Sequence, residues 1–477
     1  MDVIIILFSL GLLMFMAYRG YSVILFAPIA ALLAVALTNP TYVLPFFSEV
    51  FMVKMVDFIK QYFPVFLLGA VFGKVVEMSG LARIIAQTII SLVGAKRAIL
   101  ATVLLGAILT YSGVSLFVVV FAVYPFANNM FREANIPKRL LPAAIALGAV
   151  TFTMDALPGT PQIQNVIPTT FFKTDIYAAP ILGFIGTAFV LFTTLFYLEW
   201  RRKQAAKRGE GYSGSLTEEQ LAASSELAKE ESKVSVESVT TAKKILAFVP
   251  LVLVGVSNKF FTEMIPRWYS GGFDFSKIGL PTYNEVDLSK VTGIWSVEIA
   301  LALGIIATIA LNWTPVVQNM KKGLTEGISG SLLAVMNTAS EYGFGAVIAA
   351  LPGFLVIRDG ISQAFTNPLV NSAVTTNVLA GVTGSASGGM SIVLGVMGEK
   401  YYQVAQAANI DLEVMHRVIS MASGGMDTLP HNGAIITLLA VTGMTHKQSY
   451  GDIFVITIVK TLAAFLIIAV YMLTGLV

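Results

Sequence analysis

Apolar runs separated by short polar or turn-forming stretches recur from one end of the chain to the other. The runs at 3–17, 23–37, 63–76, 181–197, 245–256, 297–311 and 453–473 are continuous rather than alternating. They predict helices at membrane depth and exclude a β-barrel. Residues 81–93 follow an amphipathic helical pattern. Two apolar stretches are interrupted. The first, 98–127, carries Thr110-Tyr111-Ser112-Gly113-Val114-Ser115 in its middle, and the second, 371–396, carries Thr383-Gly384-Ser385-Ala386-Ser387-Gly388-Gly389. Small polar residues with glycine expose backbone, which membrane depth tolerates only inside protein or against a water-filled cavity. Such a stretch either crosses once with a break or enters and returns as a hairpin. For 98–127 a return puts Arg132, Lys138 and Arg139 on the same side as Arg19, Lys96 and Arg97. The positive-inside rule favours that arrangement, and a hairpin is the expectation.

A second pattern repeats across the chain. Met154-Asp155-Ala156-Leu157-Pro158 and Met426-Asp427-Thr428-Leu429-Pro430 each follow an apolar run, and each is preceded by Ala-Asn-Ile, at Ala134-Asn135-Ile136 and Ala408-Asn409-Ile410. The acidic residue and the proline three positions on predict a broken helix in each half, over 140–172 and 414–443. The simplest account is an internal duplication. Residues 1–198 form a first membrane repeat. Residues 199–244, rich in Glu, Lys, Ser and Ala, form a cytoplasmic linker, partly helical or disordered, and 245–477 form a second repeat. Basic residues place the first hairpin mouth inside. Glu399, Asp411 and Glu413 place the second outside, so the repeats are inverted, with both chain termini outside. A polar loop carrying Trp268, Tyr269 and Trp295 is expected outside, and Lys321-Lys322 is expected to end a span inside.

Composition narrows the function classes. The 477 residues are 56% hydrophobic and 12% charged, about half the charged share of a soluble protein. The chain is therefore an all-α polytopic membrane protein. A formal charge of +3 with no basic stripe gives no reason to expect nucleic acid. Without cysteine there is no thiol chemistry, and His416, His431 and His446 lack metal-ligand spacing, so neither a metal nor another cofactor is expected. No phosphate-binding glycine loop suggests ATP-driven transport. No nucleophile pattern accompanies Asp427 and His431, so an intramembrane enzyme is disfavoured. A channel needs a continuous polar path, whereas the polar residues cluster at the breaks. A secondary carrier remains.

Converging hairpin tips and broken helices present helix ends to the midplane, where amide ends hold a small anion and carbonyls, hydroxyls and carboxylates hold Na⁺ or H⁺. No lysine or arginine lies inside the two breaks, so amide dipoles and hydroxyls are expected to hold the anion. Asp155 and Asp427 are candidates for ion or proton coupling. Alternatively each caps the helix fragment beyond it. Thr110, Ser112, Ser115, Thr160, Gln162, Asn165, Ser385, Ser387, His431 and Asn432 are candidates for substrate binding. For the small hydroxyl residues close helix packing is the competing role, and for His431 a structural hydrogen bond. Glu341 is either a proton carrier or a near-interface residue. Lys74 with Glu77 reads as a helix-end pair, and Lys460 as a residue reaching toward the interface.

The run from Gly113 to Phe121, the run from Asp155 to Asn165 and Met426-Asp427-Thr428-Leu429-Pro430-His431-Asn432-Gly433 resemble the gluconate:proton symporter family, over nearly the whole chain. That family belongs to the ion transporter superfamily of inverted-repeat carriers. The resemblance implies uptake of small hydroxy acids with protons, an elevator movement of a transport domain against a scaffold domain, a homodimer and a place in the bacterial cytoplasmic membrane. A Na⁺-coupled carboxylate carrier of the citrate or dicarboxylate class is the alternative. The gluconate branch carries a histidine- and proline-rich loop where this chain has Pro158-Gly159-Thr160-Pro161-Gln162. The chain is more similar to the hydroxybutyrate permease-like branch, which points to a short monocarboxylate such as 3-hydroxybutyrate.

Overall fold

The computed structural model describes residues 2–19, 21–94, 97–114, 116–214, 216–217, 240–270, 272–282, 285–430 and 432–477. Among these the chain is all helical, apart from a single antiparallel bridge between Phe273 and Val286. The candidates Ser115 and His431, and half of the expected linker, lie outside the described residues.

Among the described residues five helices are long and apolar enough to cross a bilayer: α10 (Pro180–Lys207), α11 (Thr241–Trp268), α12 (Leu288–Leu311), α13 (Trp313–Ala349) and α19 (His446–Thr474). A sixth span combines the segment leading into α3 (Val53–Met78) with α4 (Leu81–Val93), bent by 71°. Gly80, at φ 74°, makes that corner, where a left-handed conformation favours a residue without a Cβ. At the N-terminus α1 (Asp2–Tyr18) and α2 (Val23–Thr38) pack together, and α2 also packs against α13. Large apolar side chains such as Phe192, Phe196, Val252, Ile306 and Leu473 stay exposed on the long helices, and they form the surface that meets lipid.

Shorter pieces fill the centre. They are α5 (Ala98–Tyr111), α6 (Leu116–Glu133), α7 (Leu141–Ala149), the single turn α8 (Phe152–Asp155) and α9 (Ile163–Phe172). In the second half they are α15 (Pro368–Thr383), α16 (Ala386–Ala407), α17 (Leu412–Gly425) and α18 (Gly433–Thr442), with α14 (Pro352–Ala364) before them. Every residue of α7 is buried, as is α17 from Val414 onward. Glycine and alanine make this density possible. A Cβ on Gly148 would lie 2.3 Å from the Val103 carbonyl of α5, and one on Gly389 would lie 2.2 Å from the Ala380 backbone. The second contact folds α16 back along α15 around the turn at Gly384, which sits at φ 67°.

α6 and α16 end in the same way. Asn135 and Asn409 both take left-handed conformations, at φ 47° and 52°. Ile136 N–H donates to Phe131 O, and Ile410 N–H donates to Ala405 O, each at 2.8 Å. This is the six-to-one bond of a Schellman ending, and asparagine is the usual substitute for glycine there.

Two polar expectations are corrected. Trp295 is not in a loop but one turn and more inside α12, and Lys321-Lys322 does not end a span but lies within the 37 residues of α13. At 1.5 Å per residue α13 runs roughly 55 Å, well beyond a hydrocarbon core of about 30 Å, so a charged pair near one end emerges without breaking the helix. The stretch around Asn39, Pro40 and Pro45, which reads as a loop, forms a 3₁₀ turn (Pro40–Tyr42) and a π-helical segment (Phe46–Met52).

Candidate functional site

The first break begins where α7 ends at Val150. After the turn of α8 the chain turns again through Pro158 and Gly159 (φ 84°), passes Pro161, and Gln162 opens α9. The Asp155 carboxylate is buried and forms an ion pair with Lys460 of α19, Oδ2 to Nζ at 3.0 Å. Lys460 is itself buried, and Nζ also donates to Val150 O at 2.9 Å. It thus meets both an acid and a free carbonyl at the end of α7, where a cation is favoured. Gly424 of α17 closes the site. A Cβ there would lie 1.7 Å from Asp155 Oδ2 and 3.0 Å from Lys460 Nζ.

Arg417, also on α17, is the largest fully buried side chain. Its guanidinium donates to Asp155 O at 3.0 Å, Asn165 Oδ1 at 2.9 Å, Ala178 O at 2.7 Å and Ile176 O at 3.5 Å. Ser420 Oγ spans Asp155 O and Gln164 O, both at 2.9 Å. His416 places Nε2 3.2 Å from Asn165 Oδ1 and Nδ1 2.7 Å from Thr174 Oγ1. These groups satisfy the backbone that the break exposes, as a dry interior requires.

At the second break the acid forms no ion pair among the described residues. Asp427 Oδ1 accepts from Ala386 N–H and from Asn432 Nδ2, each at 3.2 Å, and Oδ2 accepts from Gln164 Nε2 at 3.3 Å. Ala386 is the first residue of α16, so this acid sits at a helix N-terminus, where a negative charge is favoured. Asn432 caps α18 by accepting from Ala434 N–H at 2.7 Å, and it donates to Gly384 O at 2.8 Å. Neither aspartate caps the fragment that follows it; Gln162 and Asn432 hold those positions. Gln164 links the two breaks through its carbonyl and its side chain.

The remaining first-half candidates engage backbone. Gln162 Nε2 donates to Thr110 O at 2.6 Å and to Val114 O at 3.3 Å. Thr160 donates to Thr153 O, Thr110 to Ala149 O and Ser112 to Ile108 O. Asn165 Nδ2 donates to Thr160 O and Ile176 O. In the second half Ser385 caps α16, accepting from Gly388 N–H at 3.1 Å, and Ser387 Oγ lies 3.4 Å from Ser385 Oγ and 3.5 Å from Thr338 Oγ1. Glu341 is buried beside them.

Lys460, Arg417, His416 and Gln164 are the groups that the residue pattern alone did not single out. Lys460 was placed at the interface by its pattern, and the structure corrects this: it lies in the centre against Asp155. No lysine or arginine lies inside either break, but Lys460 and Arg417 reach the first one from other helices. The usable signal was a solitary lysine inside the apolar run 453–473, since a charge at that depth is rarely idle. For Arg417 the signal was an arginine ten residues before the acidic break, beside His416 on the helix that leads into it.

No family model matches the chain. A solved structure described as the YdaH transporter of Alcanivorax borkumensis, with an unusual topology, is similar at 12% identity over 91% of this chain and 89% of that one, with a TM-score of 0.44. A curated protein of Bacillus subtilis (strain 168), the uncharacterized transporter YxjC, is 67% identical over 478 residues, covering all of both chains. The chain belongs to the family of that Bacillus subtilis transporter.

Proposed function

We propose that the protein is a secondary active transporter of small organic anions in the bacterial cytoplasmic membrane, coupled to H⁺ and related to the gluconate:proton symporters. The substrate class is a short hydroxy monocarboxylate such as 3-hydroxybutyrate, or a gluconate-like sugar acid. The observation that carries this reading is the occupancy of the central donors. Lys460 Nζ is held by Asp155, and the amide end of α16 is held by Asp427. Both are donors that a substrate carboxylate seeks. An entering anion takes one of them, and the aspartate it displaces is left buried without its partner. Taking up a proton removes that penalty, so anion and proton enter together. Ser385, Ser387 and Asn432 stand at the same helix end and supply donors for substrate hydroxyls.

The matching ends at Asn135 and Asn409 and the paired Asp-x-x-Pro breaks support a duplicated core. The contrast between long lipid-facing helices and a centre of short buried pieces supports movement of that centre against the outer helices. A homodimer follows from the resemblance. Uptake of labelled 3-hydroxybutyrate into proteoliposomes, with pH and Na⁺ gradients imposed separately and gluconate, lactate and citrate as competitors, tests the reading. Accumulation on the pH gradient alone is expected. Accumulation on the Na⁺ gradient alone overturns proton coupling, and none of either kind overturns the substrate class.

A further inference from the structure

The buried charges of the central breaks leave one acid over. Asp155, Asp427 and Glu341 are acidic and Lys460 and Arg417 basic, all within 6% of full burial. Asp155 has Lys460, and Asp427 has three amide donors. Glu341, near the middle of the polar face of α13, has neither. Its Oε2 is buried and makes no hydrogen bond. That oxygen rests on the backbone of Gly388 in the first turn of α16, 1.7 Å from where a Cβ would stand. Beside it stand hydroxyls: Ser385, which bonds to the carboxyl, then Ser387 and Thr338. Of the charged groups on the elements packed around it, Lys74 of α3 pairs with Glu77 and Glu326, while Asp57 of α3, Glu298 of α12 and Asp427 beyond Ala386 are acids and offer no counter-charge.

We propose that Glu341, seated on Gly388 and faced by Ser385, Ser387 and Thr338, is a proton-binding site at the tip of α16, distinct from the Asp155–Lys460 pair. A bare carboxylate there has no counter-charge, and leaving an ion unpaired in a dry interior costs several kcal/mol. A proton cancels the charge within the space available. A metal cation needs a shell of oxygens, and the face of Oε2 turned to the Gly388 backbone offers none. The proton also neutralises the central set, in which two basic groups face three acids. Its place beside Ser385, one residue from the amide that Asp427 holds, puts it where a change at the substrate-binding end of α16 reaches it. That part of its role rests on the coupled-carrier reading; the proton site itself does not.

Infrared difference spectroscopy of the purified full-length protein tests the site without any substrate. At neutral pH, where exposed carboxylates are ionised, the wild type is expected to show a carboxylic-acid C=O band that Glu341→Gln lacks. Gly388→Ala, whose new methyl drives the carboxyl off its seat, is expected to shift or remove the same band while leaving Glu341 in place. It serves as the second variant if Glu341→Gln does not fold. A spectrum unchanged in both variants overturns the proposal, as does loss of the band on adding Na⁺ at constant pH. Proteoliposome uptake separates the two readings. If wild type accumulates substrate on a pH gradient and Glu341→Gln does so equally, the carrier reading stands and the role of Glu341 in coupling falls. If the band behaves as expected but no pH-driven uptake occurs, the site stands and the carrier reading falls.

Discussion

The two breaks share a sequence plan and differ in how they hold their acid. Asp155 faces a lysine brought from α19, within a pocket closed by a glycine on α17. Asp427 faces three amide donors and the end of a helix. An ion pair is an all-or-none arrangement: remove one member and the other is stranded. A ring of amides degrades gradually, since each donor carries a fraction of the load. The first break is therefore the brittle one and the second the adaptable one, although the same short motif writes both.

Removing the lysine sets the two apart most sharply. Lys460→Met strands Asp155, and breaking a buried pair in this way costs about 3–5 kcal/mol. Denaturant titration in detergent is expected to show a loss of that size, largely recovered in the double variant with Asp155→Asn. At the second break Asp427→Asn keeps an acceptor for Ala386 and is expected to lose only about 1 kcal/mol, the worth of a single hydrogen bond. Equal losses at the two sites would dissolve the distinction.

Glycine substitution sharpens the same contrast at smaller scale. Gly424→Ala pushes a methyl into Asp155 and Lys460, and overpacking of this kind costs about 1–3 kcal/mol. Gly381→Ala, beside the second break, meets Met426 and Leu429 no closer than 3.6 Å and is expected to be close to neutral in the same denaturant titration.

The least effect is expected away from both breaks. Arg139 donates Nε to Glu210 Oε1 at 2.7 Å and a terminal nitrogen to Oε2 at 3.0 Å, fastening the chain beyond α10 to the turn before α7. The Arg139 guanidinium holds the Glu210 carboxyl below its ordinary value. A depressed carboxylate stabilises the fold above its unfolded-state value and loses that contribution as the pH falls through the folded one. Glu210→Gln is expected to cost less than about 1 kcal/mol at neutral pH, since the pair is partly solvated. The difference from wild type should vanish in acid.

Much of the frame was legible in the sequence because hydropathy alone locates a helix in lipid. The amphipathic run 81–93 coincides with α4, and glycine with small hydroxyl residues marked where α5 and α15 stop. Charge was the weaker guide. Lys321-Lys322 reads as a span end only if a helix stops where the membrane does, and α13 does not. Lys460 reads as reaching for water because one residue in an apolar run carries no sign of which way it faces; only the packing of α19 on α17 turns it inward. The two aspartates were visible from their prolines. Of their partners only Asn432, five residues beyond Asp427, was in reach of the pattern; Lys460 and Gln164 come from the other half, and Ala386 from forty-one residues away.

Gln164 gives the two breaks a shared account of their protons. Its carbonyl and the Asp155 carbonyl hang on the same Ser420 hydroxyl, and its side chain hangs on Asp427. A proton gained by Asp427 weakens its hold on that side chain, and the change passes through α9 to the backbone that carries Asp155. Binding couplings are reciprocal, so a charge altered at Asp155 is felt at Asp427 by the same amount. The centre keeps one ledger across two addresses, with a single carboxamide as the wire.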